Sequence, residues 1–245
     1  MRNIIGSTTI IIFSILTSCT TPNIVVSENL KTNTSVMDAK GRQGLQFNQV
    51  ITFGDYNTSK VKRGWTLGYD ISFVTRFKGA KEKLNFIQFT PEKRAYVLAV
   101  GKFKSTELEL LNGFLSYAFQ YENYFAGSII PSDTPSDVWE FIIHNPEGGT
   151  LGDFECGIAK DKNGNEILIK GVREIEKQAN WVKLDNFGFE FIYKDQAIGA
   201  VSTLNNGRVW IKNDISEELK LVLSCMSSSL LVRHSMQESV SDEVY

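Results

Sequence analysis

Residues 216–232 read SEELKLVLSCMSSSLLV, and this stretch decides the fold. After Lys220 no charged residue interrupts Leu221, Val222, Leu223, Cys225, Met226, Leu230, Leu231 and Val232. A helix that is apolar on every side must be enclosed by protein or by lipid. A bilayer span usually needs roughly 20 apolar residues. This run is shorter, and it is bounded by Glu217 and Glu218 at one end and by Arg233 and His234 at the other. Ser224, Ser227, Ser228 and Ser229 thin its bulk, which suits close approach by surrounding backbone. The expectation is therefore a buried C-terminal helix over about residues 215–232, inside a β-rich shell. Asn213, Asp214 and Ser216 are its cap candidates, and the two glutamates suit the positive end of a helix dipole.

Working back from the helix, the chain reads as a β-meander. Residues 208–212 and 197–203 are short apolar runs, joined by an Asn206-Gly207 turn. Phe187, Phe189, Phe191 and Tyr193 would point one way from a strand, with Gly188 and Glu190 the other. Residues 156–159 and 166–172 flank Asp161-Lys162-Asn163-Gly164-Asn165, a hairpin signal. Trp139, Phe141 and Ile143 share one face of a further strand, and residues 95–100 are apolar throughout, as a strand buried on both faces would be. Residues 71–77 and 84–89 also read as strands, and the spacing over 106–119 predicts a short surface helix. Short strands punctuated by turn residues indicate a mainly β, antiparallel barrel or sandwich-like domain, over about residues 45–235 with a polar tail at 236–245.

The chain has 245 residues, 42% hydrophobic, 11% aromatic and 22% charged, and a net charge of −2. That suits one globular domain with a substantial core. Without a basic block, nucleic acid is not an expected partner. The N-terminus carries a different signal. Arg2 precedes an apolar run over residues 4–16 and the small-residue site Leu16-Thr17-Ser18-Cys19, the layout of a secretory signal spanning residues 1–18. Residues 19–44 are rich in Ser, Thr and Asn and read as a flexible tether. The remaining cysteines, Cys156 and Cys225, would sit in an oxidising compartment, as buried thiols or as one bridge; buried thiols are favoured, because Cys is among the most buried residue types.

The Leu16-Thr17-Ser18-Cys19 quartet resembles the lipobox of bacterial lipoproteins. The resemblance implies cleavage before Cys19, a diacylglycerol on its sulfur and an acylated new N-terminus, a firm anchor because several chains act together. Without Asp after Cys19, the usual sorting pattern implies the outer membrane, facing the periplasm. A Phe-rich strand, Gly199-Ala200-Val201, Val209-Trp210-Ile211 and a terminal apolar helix, over roughly residues 185–235, resemble the tubby-like C-terminal superfamily. That group, with scramblase-like and LURP-one-like members, closes a β-barrel round a hydrophobic C-terminal helix. The phosphoinositide-binding basic residues of its eukaryotic members have no counterpart here.

Chemistry-bearing patterns are sparse. The two histidines, His144 and His234, lack partners at metal-ligand spacing. No nucleophile elbow, catalytic triad, Walker loop or dinucleotide fingerprint is present. Asp161-x-Asn163-x-Asn165 resembles half a calcium loop, but Glu166 and Val172 stand where Gly and Glu are needed. Trp65, Tyr121, Tyr124 and Trp139 are the candidate ligand-contacting aromatics, for sugar or lipid, and packing into a sheet is their alternative. Carboxylates such as Asp153 and Glu155 keep a carbohydrate-active hydrolase as the alternative function. The leading expectation is a non-catalytic envelope lipoprotein, without cofactor or metal, that meets the membrane through its anchor and binds a lipid, glycan or envelope protein. A purely structural module without a ligand is the third expectation.

Overall fold

The computed structural model describes residues 22–43, 48–64, 82–103, 124–144, 155–176 and 186–233. They form one antiparallel sheet of 13 strands. The strands are β1 (Thr34–Asp38), β2 (Thr52–Phe53), β3 (Tyr56–Thr58), β4 (Lys62–Arg63), β5 (Glu82–Phe89), β6 (Arg94–Phe103) and β7 (Tyr124–Pro131). β8 (Trp139–His144), β9 (Glu155–Asp161), β10 (Glu166–Val172), β11 (Gly188–Tyr193), β12 (Gln196–Ser202) and β13 (Arg208–Lys212) follow. Neighbours run in the order β1-β13-β12-β11-β10-β9-β8-β7-β6-β5-β3-β2, with β4 also on β5. The sheet is a nearly closed barrel. Its two ends meet where Lys40 and Thr52 exchange N–H···O bonds of 2.8 and 3.1 Å.

The helix α1 (Glu217–Val232) runs inside, and every residue of it from Leu221 to its end is buried. It starts where the sequence indicates: Ser216 Oγ accepts from Leu219 N at 3.2 Å, and Glu217 and Glu218 fill the first turn. Inward side chains of the strands, among them Phe86, Val97, Phe125, Trp139, Phe141, Phe189, Phe191 and Val201, pack with Leu221, Leu223, Met226 and Leu230 in one core. A barrel that large would hold ligand or water if empty; here the chain's own helix fills it. At Gly199 a Cβ would lie 2.9 Å from both Leu223 Cδ1 and Trp210 O, so only glycine lets β12 pass this close to the helix.

The helix serines divide by what they find inside. Ser224 and Ser229 donate to the helix carbonyls of Leu221 and Cys225, at 2.7 and 2.8 Å. Ser228 Oγ donates to Gln88 Oε1 at 2.6 Å, and Gln88 Nε2 donates to the carbonyls of Phe89 and Asn57 at 3.2 and 3.3 Å. Gln88 and Ser228 are both fully buried, so this polar bridge pins α1 to β5. Ser227 Oγ, equally buried, meets no donor or acceptor. Cys156 and Cys225 are free and buried, and burial pushes the Cys225 thiol well above its ordinary range against the opposing pull of Ser224.

The expected tether over residues 19–44 is corrected by its described part. Residues 22–43 belong to the fold, so the domain begins well before residue 45. Ile24 bridges Ile175 and is buried, with Leu30, against Ala197, Ala200 and Trp210 on the outside of the barrel. Ser27 donates from its N–H and its hydroxyl to the Glu190 carboxylate at 2.5 and 2.8 Å. The chain then turns into β1, which pairs with β13 along its whole length. Phe187 packs with this outer group and not with Phe189 and Phe191, because it precedes β11 and lies on the other side of the sheet. The strand expected over 71–77 and the helix over 106–119 lie outside the described residues. No helix among the described residues is long and apolar enough to cross a membrane.

Two serine variants separate pairing from size. Ser228→Ala leaves Gln88 Oε1 buried without its donor and should cost about 1–3 kcal/mol. Ser227→Ala removes a hydroxyl that has no partner and should be neutral or stabilising by up to about 1 kcal/mol. The urea midpoint should therefore fall for Ser228→Ala and hold or rise for Ser227→Ala; equal losses would show that side-chain volume alone matters.

Candidate functional site

In an antiparallel meander the connections alternate between the two rims of the barrel. The helix enters at one rim, after β13, and ends at the other. At that second rim begin and end the connections β1 to β2, β4 to β5, β6 to β7, β8 to β9, β10 to β11 and the short β12 to β13. Four of these, across residues 64–81, 104–123, 145–154 and 173–187, are long. Those at the opposite rim, across 90–93, 132–138, 162–165 and 194–195, are shorter. The segments that join strands on a rigid scaffold are where barrels carry binding.

The same rim has to satisfy the end of α1, whose last turn contains no basic residue. Its final carbonyls would otherwise be orphans in an apolar mouth. Two arginines from far along the chain supply the donors. Arg42, in the β1–β2 connection, donates from Nε to Leu231 O at 3.1 Å, and from Nη1 to Thr203 O and Asn205 O at 2.6 and 2.5 Å. Arg63, ending β4, donates from Nη2 to Val232 O and to Gln49 Oε1, each at 3.1 Å. Gln49 Nε2 in turn donates to the carbonyls of Gly41 and Arg42 at 3.0 and 3.1 Å. The buried Glu82 faces the same guanidinium, with 3.7 Å between Arg63 Nη1 and Glu82 Oε1. Arg233 closes the helix with its guanidinium carbon 5.9 Å from the centre of the Phe125 ring. Cations at a helix C-terminus also meet its negative dipole end, worth about 0.3–1 kcal/mol each and up to about 2 where partly buried. The arrangement locks the helix into its ring and fixes the base from which the long connections leave.

Of the aromatics singled out from sequence, the two among the described residues, Trp139 and Tyr124, stand apart. Trp139 is 1% exposed and inward, and its Nε1 donates to Glu218 Oε1 at 3.1 Å beside the start of the helix. Tyr124 is also 1% exposed, but it begins β7 at the helix-end rim, in register with His144 and Phe103. The two stand at opposite ends of the β7–β8 pair, so they share no surface patch. Trp65, Tyr121 and Cys19 lie outside the described residues, as does Asp153 of the carboxylate pair. Among the described residues no group of three or more His, Cys, Asp or Glu could hold a metal ion. Comparison with protein-family models, with curated proteins and with solved structures finds no match.

The Asp161 turn, at the opposite rim, is occupied by its own hydrogen bonds. Asp161 Oδ1 accepts from the N–H groups of Asn163 and Asn165, each at 2.8 Å, and Oδ2 accepts from Asn165 Nδ2 at 2.7 Å. Burial works against the carboxylate, but the Asn165 side chain and these backbone N–H groups outweigh it and hold its pKa below the ordinary value.

Arg63→Met should destabilise by about 3 kcal/mol, because it strips donors from Val232 and Gln49 and removes a charge facing buried Glu82. A fall in the urea midpoint with an unchanged slope checks it; an unchanged midpoint would mean the cap contributes nothing. The Asp161 turn gives a pH-dependent prediction. Since its folded-state pKa is the lower one, its stabilisation is complete above about pH 4 and is lost as pH falls through the folded value. The stability gap between wild type and Asp161→Asn should be about 1–2 kcal/mol near neutrality and shrink below about pH 4. A gap that stays constant down to acid pH would refute this account of the turn.

Proposed function

We propose that this chain is a lipid-anchored protein of the bacterial cell envelope, whose barrel is a non-catalytic module that binds a partner or an amphiphilic ligand at the membrane surface. The observation that carries the reading is the occupied interior. A barrel that holds its own helix offers its rims and outer faces, not a lumen, for recognition. The start of the fold supports the anchor: Ile24, five positions after Cys19, is already buried, so a lipid on that cysteine would hold the barrel itself at a bilayer. A ring of strands wound round a C-terminal helix also supports kinship with the tubby-like superfamily in architecture, which does not by itself carry an activity.

Expression of the full chain in a bacterial host tests the reading. Wild type should fractionate with membranes, and its intact mass should correspond to a chain starting at Cys19 plus a diacylglycerol and an acyl group. Cys19→Ser should move to the soluble fraction with the same thermal unfolding profile. A wild type that is soluble and carries no lipid on Cys19 would refute the anchor. A lipidated protein that co-purifies with neither a protein partner nor a retained amphiphile would refute the binding role.

A further inference from the structure

We infer that the rim where α1 ends faces the bilayer and is held against its headgroups. The inference rests on the anchor proposed at Cys19 and adds the orientation and the contact surface. Ile24 and Ile175 form an antiparallel bridge, and Glu176 N donates to Asn23 O at 2.8 Å while Val25 N donates to Glu174 O at 3.0 Å. Residues 174–176 follow the end of β10 at the helix-end rim, and there Ile24 Cδ1 lies within 2.7 Å of where a Cβ on Gly188, the first residue of β11, would sit. Antiparallel pairing puts Asn23 beside Glu176 and Val25 beside Glu174. Asn29 Nδ2 donates to Ala197 O at the other end of the wall, so the chain from Ile24 to Asn29 runs from the helix-end rim towards the opposite rim, and tracing it back towards residue 22 leads to the helix-end rim.

Only Thr20 and Thr21 then separate Cys19 from Pro22. Three Cα–Cα steps of about 3.8 Å reach at most about 11 Å. The opposite rim is further off by the height of the barrel: the 7 residues of β10 at about 3.3 Å each give roughly 20 Å. A lipid at Cys19 can thus bring the helix-end rim to the surface, and it cannot bring the opposite rim there without unpairing residues 23–25. The backbone pairing at residue 24 and the packing of Ile24 and Leu30 make the attachment a stiff one. Two of the three most exposed large apolar side chains among the described residues also belong to this side: Val25 at 39%, and Val50 at 37%, which follows Gln49 in the cap network.

The test uses the full-length lipidated protein in phosphatidylcholine vesicles that carry an energy acceptor on a fraction of the headgroups. Single reporter cysteines are placed at Val50 and Lys62 on the helix-end rim, and at Glu92 and Lys162 on the opposite one, as V50C, K62C, E92C and K162C. Cys156 and Cys225 are buried and do not compete for the donor dye. Energy transfer to the lipid should be severalfold stronger from V50C and K62C than from E92C and K162C. Equal transfer from both rims, or stronger transfer from the opposite rim, in protein whose Cys19 lipid is verified by mass, overturns the orientation and leaves the anchor standing. Absence of lipid on Cys19 overturns both together.

Discussion

A helix with no polar side imposes one constraint, from which the architecture follows. Each Leu, Val or Met of α1 that leaves water contributes about 1.5–3 kcal/mol. A single sheet face could collect that from only half the helix. A ring of strands collects it all round, and a ring also abolishes the unpaired edges that an open sheet would expose. The ring is sealed economically: β2, β3 and β4 are very short, and the closure itself is one bridge between Lys40 and Thr52. The seam holds because Ile51, Phe53 and Val61 behind it belong to the same core as the helix.

Enclosure creates a second problem, at the ends of the helix and along its polar side chains. The N-terminal end solves it locally, with Ser216 and two glutamates. The C-terminal end cannot, since the chain there offers no glycine and no base in the last turn, so the barrel supplies Arg42 from the β1–β2 connection and Arg63 from β4. Inside, Gln88 reaches Ser228, and the pair fixes the helix in rotation and height relative to β5. An apolar rod in an apolar tube has little else to set its register. Such a polar pair acts through specificity more than through stability.

These two layers were unequally legible in the sequence. The helix, its cap and the strands from β5 onward are written in local pattern, because a side chain that faces the core must be apolar and its neighbour's position follows from the period. Strand β1 is written nowhere locally. Its stretch, Thr34–Asp38, is half exposed and polar, and it is a strand only because β13 lies beside it. Residues 22–31 show no strand or helix period, and their packed apolar residues, Ile24, Val26 and Leu30, have partners that lie far along the chain. The arginine caps join residues separated by 189 and 169 positions. One signal was available: a helix ending in Leu-Leu-Val inside a core must borrow donors. Trp139 and Tyr124 could not be assigned to one side of the wall from composition, because strand alternation and barrel closure decide that, and both are buried.

The order of elements along the chain bears on how such a molecule forms. The helix that makes up the centre of the core is the last described element, and β1, among the first, pairs with β13, the last strand. A chain emerging N-terminus first therefore holds a sheet without a core, and a first strand without a partner, until residue 232 has arrived. Contacts of such long sequence separation must be closed before they are rewarded, which makes folding slow and cooperative. The central helix and the seam between β1 and β13 are thus both completed by the C-terminal end of the described chain.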